Sequence, residues 1–229
     1  MGRTLFIGDL HGCATEFRAL LDAMAYDPRS DRLFLTGDAF TRGPDPMGVW
    51  RLIEALHPQM VMGNHDERLM IWLKEIVKGR RPTLKLPNQQ ETVNAITPVA
   101  DAVLDWLQCL PLWIEEDRFL LVHAGINPTK GCKGTKRDEF LTIRTWPPNG
   151  GIVGSRWHDA LPETDKLIVF GHDAPGGLVV KKRTDGLPYL IGLDSGCVYG
   201  NQLSGYILEE DRIVQMVSTR DGKARGGQV

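Results

Sequence analysis

Short apolar runs punctuate the chain at residues 4–7, 33–36, 60–62, 119–122 and 167–170; four are followed at once by glycine and the fifth by His123-Ala124-Gly125. Runs of this length bounded by Gly predict buried strands. Their apolarity is continuous rather than alternating, which predicts a sheet covered on both faces. Between the early runs lie stretches with a different period. Residues 15–25 carry Phe17, Leu20, Leu21 and Met24 at i, i+3, i+4 and i+7, and residues 46–56 carry Val49, Trp50, Ile53 and Leu56 at similar spacing. Leu69, Met70, Leu73 and Val77 continue the pattern over 66–77. These are amphipathic helices by their spacing, and strand–helix alternation at the front of a chain predicts βαβ units. Later runs at 189–193, 202–208 and 212–217 read as strands joined by turns, so the back half is expected to be richer in antiparallel pairing. The fold class is α/β, a sandwich with its chemistry at strand ends, where open α/β sheets place their sites.

Two segments break the rhythm. Residues 79–97, with Arg80-Arg81-Pro82 and Pro87-Asn88, are expected to be irregular and to offer a cap over the site. Residues 130–154, rich in Gly and Pro, read as a long loop with one helical turn and a second source of specificity. Residues 1–218 are expected to form a single domain, followed by a frayed polar tail at 219–229.

Composition narrows the partners. With 27 Lys and Arg against 29 Asp and Glu, the formal charge of the 229-residue chain is -2. That excludes a generally basic nucleic-acid wrapper. No apolar run approaches the roughly 20 residues that cross a bilayer, and residues 5–7 run straight into Gly8-Asp9 rather than through a signal peptide. Cys13, Cys109, Cys132 and Cys197 contain no C-x-x-C pair. A reduced, cytoplasmic protein is expected, with its cysteines serving as small buried hydrophobes. There is no P-loop, no strand-borne G-x-G-x-x-G, no G-x-S-x-G elbow and no H-E-x-x-H. No cysteine is followed six positions later by arginine, which removes the common thiol-phosphatase loop.

What remains is a set of polar residues at the ends of the apolar runs. They are Gly8-Asp9-Leu10-His11-Gly12, Gly37-Asp38, Gly63-Asn64-His65-Asp66, His123-Ala124-Gly125 and Gly171-His172-Asp173. Four of six histidines share this relation to a strand end; His57 and His158 do not, and are expected to be structural. Asp carboxylates, imidazoles and an Asn carbonyl are oxygen and nitrogen donors suited to Mn, Fe, Co, Ni or Zn rather than to a thiolate site. A carboxylate can bridge two ions roughly 3.5–4 Å apart, and such a pair acidifies a bridging water and clamps phosphoryl oxygens. Glycine beside each donor lets backbone and ligand approach closely.

Five blocks, completed by Arg42-Gly43-Pro44 after Gly37-Asp38, occur in the order that resembles the GDxHG, GDxxxRG, GNHD/E, HAG and GH blocks of the calcineurin-like metallophosphoesterases, in their phosphoprotein phosphatase branch. The resemblance runs from Asp9 to about Gly196. It implies a four-layer α/β sandwich with two central mixed sheets, and two divalent ions, manganese foremost. By position it implies that Asp9 and His11 hold one ion, that Asp38 bridges, and that Asn64, His123 and His172 hold the other. It further implies a metal-bridging hydroxide as nucleophile and His65 as general acid. Arg42 would be a phosphate-binding fork, with Arg144 as a second phosphate-gripping arginine. Asp66 stands as a further candidate catalytic residue beside His65, although adjacent side chains tend to diverge.

The chain departs from the protein phosphatases of that branch at one place. Where they carry an aspartate that supports the catalytic histidine, this sequence has Thr41, so the acid that would fix the His65 tautomer is missing. That substitution, with Leu193-Asp194-Ser195-Gly196-Cys197-Val198-Tyr199-Gly200-Asn201-Gln202-Leu203, is similar to the symmetrical diadenosine tetraphosphate hydrolases. The short length is more like small bacterial and phage phosphatases. A dinucleoside polyphosphate is therefore the favoured substrate and a phosphoprotein the alternative, with an inert phosphate-binding module more remote. Lys78, Arg80 and Arg81 could reach a polyphosphate, but such a run is more commonly a solvated loop. No membrane and no stable nucleic-acid partner is expected. Two divalent ions with Arg42 and Arg144 would outweigh the charge of Asp9 and Asp38, making a positive pocket in a near-neutral protein.

Overall fold

A computed structural model describes residues 2–148 and 150–220. The chain runs β1 (Thr4–Ile7), α1 (Ala14–Ala23), β2 (Arg32–Leu35), α2 (Pro46–Leu56), β3 (Gln59–Met60) and α3 (Asn64–Val77), the βαβαβ order predicted by the alternating periods. It continues through α4 (Pro87–Ile96), α5 (Ala100–Gln108), β4 (Trp113–Glu115), β5 (Phe119–Val122), α6 (Arg137–Thr142) and β6 (Leu167–Phe170). It closes with β7 (Val179–Lys182), β8 (Pro188–Gly192), β9 (Gln202–Ile207) and β10 (Arg212–Val217).

The strands form two five-stranded mixed sheets, ordered β10-β9-β1-β2-β3 and β4-β5-β6-β8-β7. In the first, β1, β2 and β3 are parallel while β9 and β10 are antiparallel additions. In the second, β5, β6 and β8 are parallel, and β4 and β7 flank them antiparallel. The antiparallel character expected of the back half is present at all three of its last strands: β9 pairs antiparallel with β1 and β10, and β8 pairs antiparallel with β7 while running parallel to β6.

The side-chain period of two sorts each strand between two cores. Phe6, Phe34, Phe119, Leu121, Leu167, Val169, Ile191 and Tyr206 pack between the sheets. The Phe6 and Phe119 rings meet edge to face at 4.8 Å, the favoured geometry for such pairs. The alternate residues Leu5, Ile7, Leu33 and Leu35 face outward onto α1, α2, α3 and α5. Leu120, Val122, Ile168 and Phe170 face the opposite way, onto Phe140 and Trp157. Helix, sheet, sheet and an irregular outer layer make the four-layer sandwich.

Two departures from expectation have simple causes. Residues 79–97 are not irregular throughout, because α4 occupies their second half. Pro87 sits in the first turn of α4, where its missing N–H costs nothing, and Val93 and Ile96 of that helix are buried in the core with α2. No residue of 79–97 lines the cleft described below, and Lys78, Arg80 and Arg81 are exposed to solvent. α5, which drew no expectation, buries Ala100, Val103, Leu104 and Leu107 at helical spacing. The expected tail at 219–229 lies mostly outside the described residues; Thr219 itself is tied to Glu16 through its N–H at 2.8 Å. Among the described residues, no helix is long and apolar enough to cross a membrane.

Candidate active site

Parallel strands all point their C-terminal ends the same way, so the ends of β1, β2 and β3 meet those of β5, β6 and β8 along one rim. Each end delivers a polar residue. Asp9 and His11 follow β1, Asp38 follows β2, and Asn64, His65 and Asp66 form the first turn of α3 after β3. His123 follows β5, His172 follows β6 and Asp194 follows β8. Thr36 ties the two sheets together here: its hydroxyl donates to Asp9 Oδ1 at 2.7 Å and its carbonyl accepts from His123 Nδ1 at 2.8 Å.

The rim demands unusual backbone. His11, Asp38, Arg42 and His172 adopt left-handed φ values of 43°, 53°, 77° and 68°, each costing about 1–3 kcal/mol unless its surroundings enforce it. Glycine supplies the close approach. A Cβ on Gly63 would overlap Asp38 Oδ1, and one on Gly171 would overlap Asp9 Oδ1.

The donors face one another. Asp38 Oδ2 stands 3.6 Å from His11 Nε2 and 3.7 Å from His123 Nε2. His11 Nδ1 donates to the Thr41 carbonyl at 3.1 Å, and His123 Nδ1 donates to the Thr36 carbonyl. A neutral imidazole protonated at Nδ1 turns its Nε2 lone pair outward. Both lone pairs therefore point at one carboxylate oxygen, which has no proton to offer when ionised. Asn64 Oδ1 lies 3.1 Å from His123 Nε2 and 3.2 Å from His172 Nδ1, while His172 Nε2 is buried with no hydrogen-bond partner among the described residues.

Burial makes this opposition acute. It pushes the Asp38 carboxyl up to about 7 and Asp9 well above the usual carboxylate range, where Asp194 and Asp38 add repulsion. It also pushes His11 down to about 3 and His123 down to about 4, so both rings are neutral. Electron-pair donors facing each other are stabilised by a cation between them. Two donors about 2.1 Å from one tetrahedral ion lie about 3.4 Å apart, close to the separations seen. Asp9, His11 and Asp38 form one such group, and Asp38, His123 and His172 form the other, sharing Asp38. The residues fit two hard or borderline divalent ions, with oxygen and nitrogen donors and no thiolate.

Beside these donors opens a cleft of about 240 Å³, lined by Arg42, His65, Arg144 and Tyr199 among others. Arg42 Nη2 donates to His65 Nε2 at 2.9 Å, Nη1 donates to the Tyr199 hydroxyl, and the guanidinium carbon lies 5.7 Å from the Tyr199 ring centre. Burial first, then His11 and Arg42, hold the His65 imidazolium well below its ordinary range, so the ring is neutral. Among the described residues no carboxylate oxygen pairs with the His65 ring. Thr41 offers it nothing, since the Thr41 hydroxyl is buried with no hydrogen-bond partner among the described residues. Arg144 reaches the cleft rim and donates to the His172 carbonyl at 3.2 Å.

Asp66 does not belong with the reacting groups. It is fully buried; Oδ2 accepts from the N–H of Asp38 at 2.6 Å and of Gly63 at 3.2 Å, and Oδ1 accepts from Ala39 at 3.0 Å. As the third residue of α3, it points back toward the loop it braces while His65 points into the cleft. His57 caps α2 in a left-handed conformation, and His158 is buried beside Trp157 and Phe170, both away from the site. Cys13 and Cys197 are buried as expected, whereas Cys109 is exposed at the end of α5.

Sequence reasoning left Asp194, Tyr199 and Asn201 without individual roles, yet all three line the cleft. The signal was the 193–203 segment, whose Gly196 and Gly200 take left-handed φ and turn Tyr199 back over Arg42. Asp194 adds a third buried carboxylate that charge arithmetic on Asp9 and Asp38 alone omits.

Comparison with known proteins agrees with this geometry. The family profile described as calcineurin-like phosphoesterase matches residues 2–213. A symmetrical bis(5'-nucleosyl)-tetraphosphatase of Nitrosospira multiformis is 25% identical over 282 aligned residues, spanning 97% of this chain and 98% of its own. The protein of the same name from Aromatoleum aromaticum is 29% identical over 270 residues, spanning 92% and 95%. A solved structure described as a candidate diadenosine tetraphosphatase superposes with a TM-score of 0.75 at 29% identity, covering 96% of this chain and 95% of that one. A serine/threonine phosphatase of Saccharomyces cerevisiae shares the fold at 15% identity, with a TM-score of 0.60 over 96% and 81% of the chains.

Proposed function

The chain belongs to the calcineurin-like phosphoesterase family, and from that premise we propose that it is a metal-dependent hydrolase of dinucleoside polyphosphates that cleaves diadenosine tetraphosphate to two molecules of ADP. The observation that carries the reaction class is the single oxygen of Asp38 set between the lone pairs of His11 and His123. Asp9, His11 and Asp38 would hold one divalent ion and Asp38, Asn64, His123 and His172 the other, with manganese the expected metal. Bound there, the pair supplies an acidified water as nucleophile and positive charge against the phosphoryl oxygens.

The remaining work falls to side chains. Arg42 and Arg144, on the cleft wall, bind and orient the phosphoryl group by charge-assisted hydrogen bonds. When a phosphoryl oxygen draws the Arg42 fork, the lone pair of His65 Nε2 is released to take up a proton from solvent and pass it to the leaving oxygen. That proton matters little when the leaving group is a nucleoside diphosphate, whose phosphate oxygen departs as a stable anion. It matters greatly for a serine alkoxide. A His65 with no carboxylate behind it is thus better matched to a phosphoanhydride than to a phosphoserine ester, and the names carried by full-length relatives support the same substrate. The single-domain reading of residues 1–218 rests on the inter-sheet core shared by both sheets. Four cysteines outside any disulfide agree with a reducing, cytoplasmic setting.

The test is a substrate panel with Mn²⁺: diadenosine tetraphosphate, a phosphoserine peptide and p-nitrophenyl phosphate. The proposal expects ADP as sole nucleotide product and a higher kcat/KM on the dinucleotide than on the peptide. AMP with ATP would overturn the cleavage position, a faster peptide reaction would overturn the substrate class, and no turnover on any of the three would overturn the enzyme.

A further inference from the structure

Asp173, immediately after the candidate ligand His172, is a buried carboxylate with no part in the chemistry above. Its Oδ2 is 2.8 Å from Arg156 Nε and its Oδ1 is 3.6 Å from Arg144 Nε. Both of these last two atoms are buried, and among the described residues neither has a hydrogen-bond partner, so the charge of each is met by the other across 3.6 Å. The main chain at Asp173 is held by a turn, because its carbonyl accepts from the N–H of Gly176 at 2.7 Å and of Gly177 at 3.2 Å. Arg144 and Arg156 come from facing segments: Thr145 bridges Arg156, and the N–H of Trp157 donates to the Arg144 carbonyl at 3.0 Å.

We propose that Asp173, clamped by Arg156, is a positioning residue that aims Arg144 into the cleft. A guanidinium has two usable edges. Asp173 faces Nε and the His172 carbonyl accepts from Nη2, so one edge is held against the protein. Nη1 keeps no protein acceptor among the described residues, and Arg144 lines the cleft. A free arginine side chain has rotamer freedom that a phosphate would have to remove on binding; here the ordering precedes the ligand. Arg156 does not line the cleft and works only through Asp173.

This inference rests on Arg144 as a phosphate-binding residue, and the experiment separates the two. The readout is competitive inhibition of p-nitrophenyl phosphate hydrolysis by orthophosphate in the Mn²⁺-loaded enzyme, with KM, kcat, metal content and thermal midpoint measured beside it. Arg144→Gln should weaken orthophosphate by about 10- to 100-fold, the range for a hydrogen bond to a charged group. Arg156→Gln and Asp173→Asn should each weaken it by about 3- to 10-fold with two metals retained, and Arg156→Lys should recover part of the loss. In an Arg144→Gln background, Arg156→Gln should add nothing, because its effect passes through Arg144. Unchanged inhibition in Arg144→Gln would remove the phosphate role of Arg144 and this inference with it. A normal inhibition constant in both Arg156→Gln and Asp173→Asn, or a further loss in the double variant, would remove the inference alone. Loss of metal or of folding in Asp173→Asn, with orthophosphate binding intact in Arg156→Gln, would assign Asp173 to holding His172 instead.

Discussion

Replacing Asp66 by asparagine should dismantle the site without touching any residue that lines the cleft. Asp66 accepts three backbone N–H groups, from Asp38, Ala39 and Gly63, at 2.6, 3.0 and 3.2 Å. Asparagine presents an oxygen to only one side. If it keeps Asp38 and Gly63, its NH₂ meets the N–H of Ala39, and one buried donor is left unpaired at about 1–3 kcal/mol. The two surviving bonds become neutral and lose roughly half their strength. Against this stands the relief of not burying a charge, since burial and Asp38 push the Asp66 carboxyl up to about 7. The net should be a loss of about 2 kcal/mol. The consequence for function is larger than the stability figure, because these bonds enforce the left-handed Asp38, whose backbone stores about 1–3 kcal/mol. Urea unfolding measures the first effect and metal analysis of the folded variant the second. An Asp66→Asn protein within about 0.5 kcal/mol of the parent, carrying two Mn²⁺ per chain, would refute the reasoning.

Three further outcomes follow from the same geometry. His65→Asn should keep both metals and lose rate unevenly: up to about 10²–10⁴-fold on a phosphoserine peptide, as for a general acid or base, but much less on p-nitrophenyl phosphate; equal losses on both would contradict the proton role. Gly171→Ala should fold poorly or lose the Asp9 ion, since its Cβ would overlap Asp9 Oδ1, and a stable, fully active Ala variant would contradict that close approach. At the far end of β1, burial works to raise the Asp31 carboxyl, but hydrogen bonds from Arg3 outweigh it and hold it down at about 2. A folded-state value below the unfolded one stabilises above about pH 4 and loses that contribution as pH falls toward 2, amounting to under about 2 kcal/mol after solvent screening. The stability gap between the parent and Asp31→Asn should close over that interval; a gap constant down to pH 2 would show that the pair does not titrate with folding.

The ligand cluster was legible in the sequence because its members share a local grammar. An apolar run, a glycine and a donor recur at Asp9, Asp38, Asn64 and His172, with the glycine two places after the donor at His123, and parallel strands bring such ends together without long-range information. The same local reasoning placed α1, α2 and α3 to within two residues. It failed where the deciding contact is distant. Pro87 read as a breaker because nothing nearby says that α4 packs on α2. Asp66 read as catalytic because two of its three N–H partners, Asp38 and Ala39, lie in the loop after β2, and only Gly63 is near it in sequence. Tyr199 and Asp194 could be seen as members of a segment but not as neighbours of Arg42 and Asp9, which only the β8–β9 turn creates. Asp173 shows the same limit: its meaning depends on Arg144 and Arg156, and the arginine closer in sequence is 17 residues away.

In the proposed two-ion centre one oxygen of Asp38 is shared by both cation sites, and calorimetric titration of Mn²⁺ into chelator-treated protein tests that most directly. The parent should bind two ions per chain, and Asp38→Asn should bind at most one, with both affinities weakened and hydrolysis abolished. Two ions bound by Asp38→Asn with parental affinities would contradict a shared carboxylate and the two-ion centre built on it.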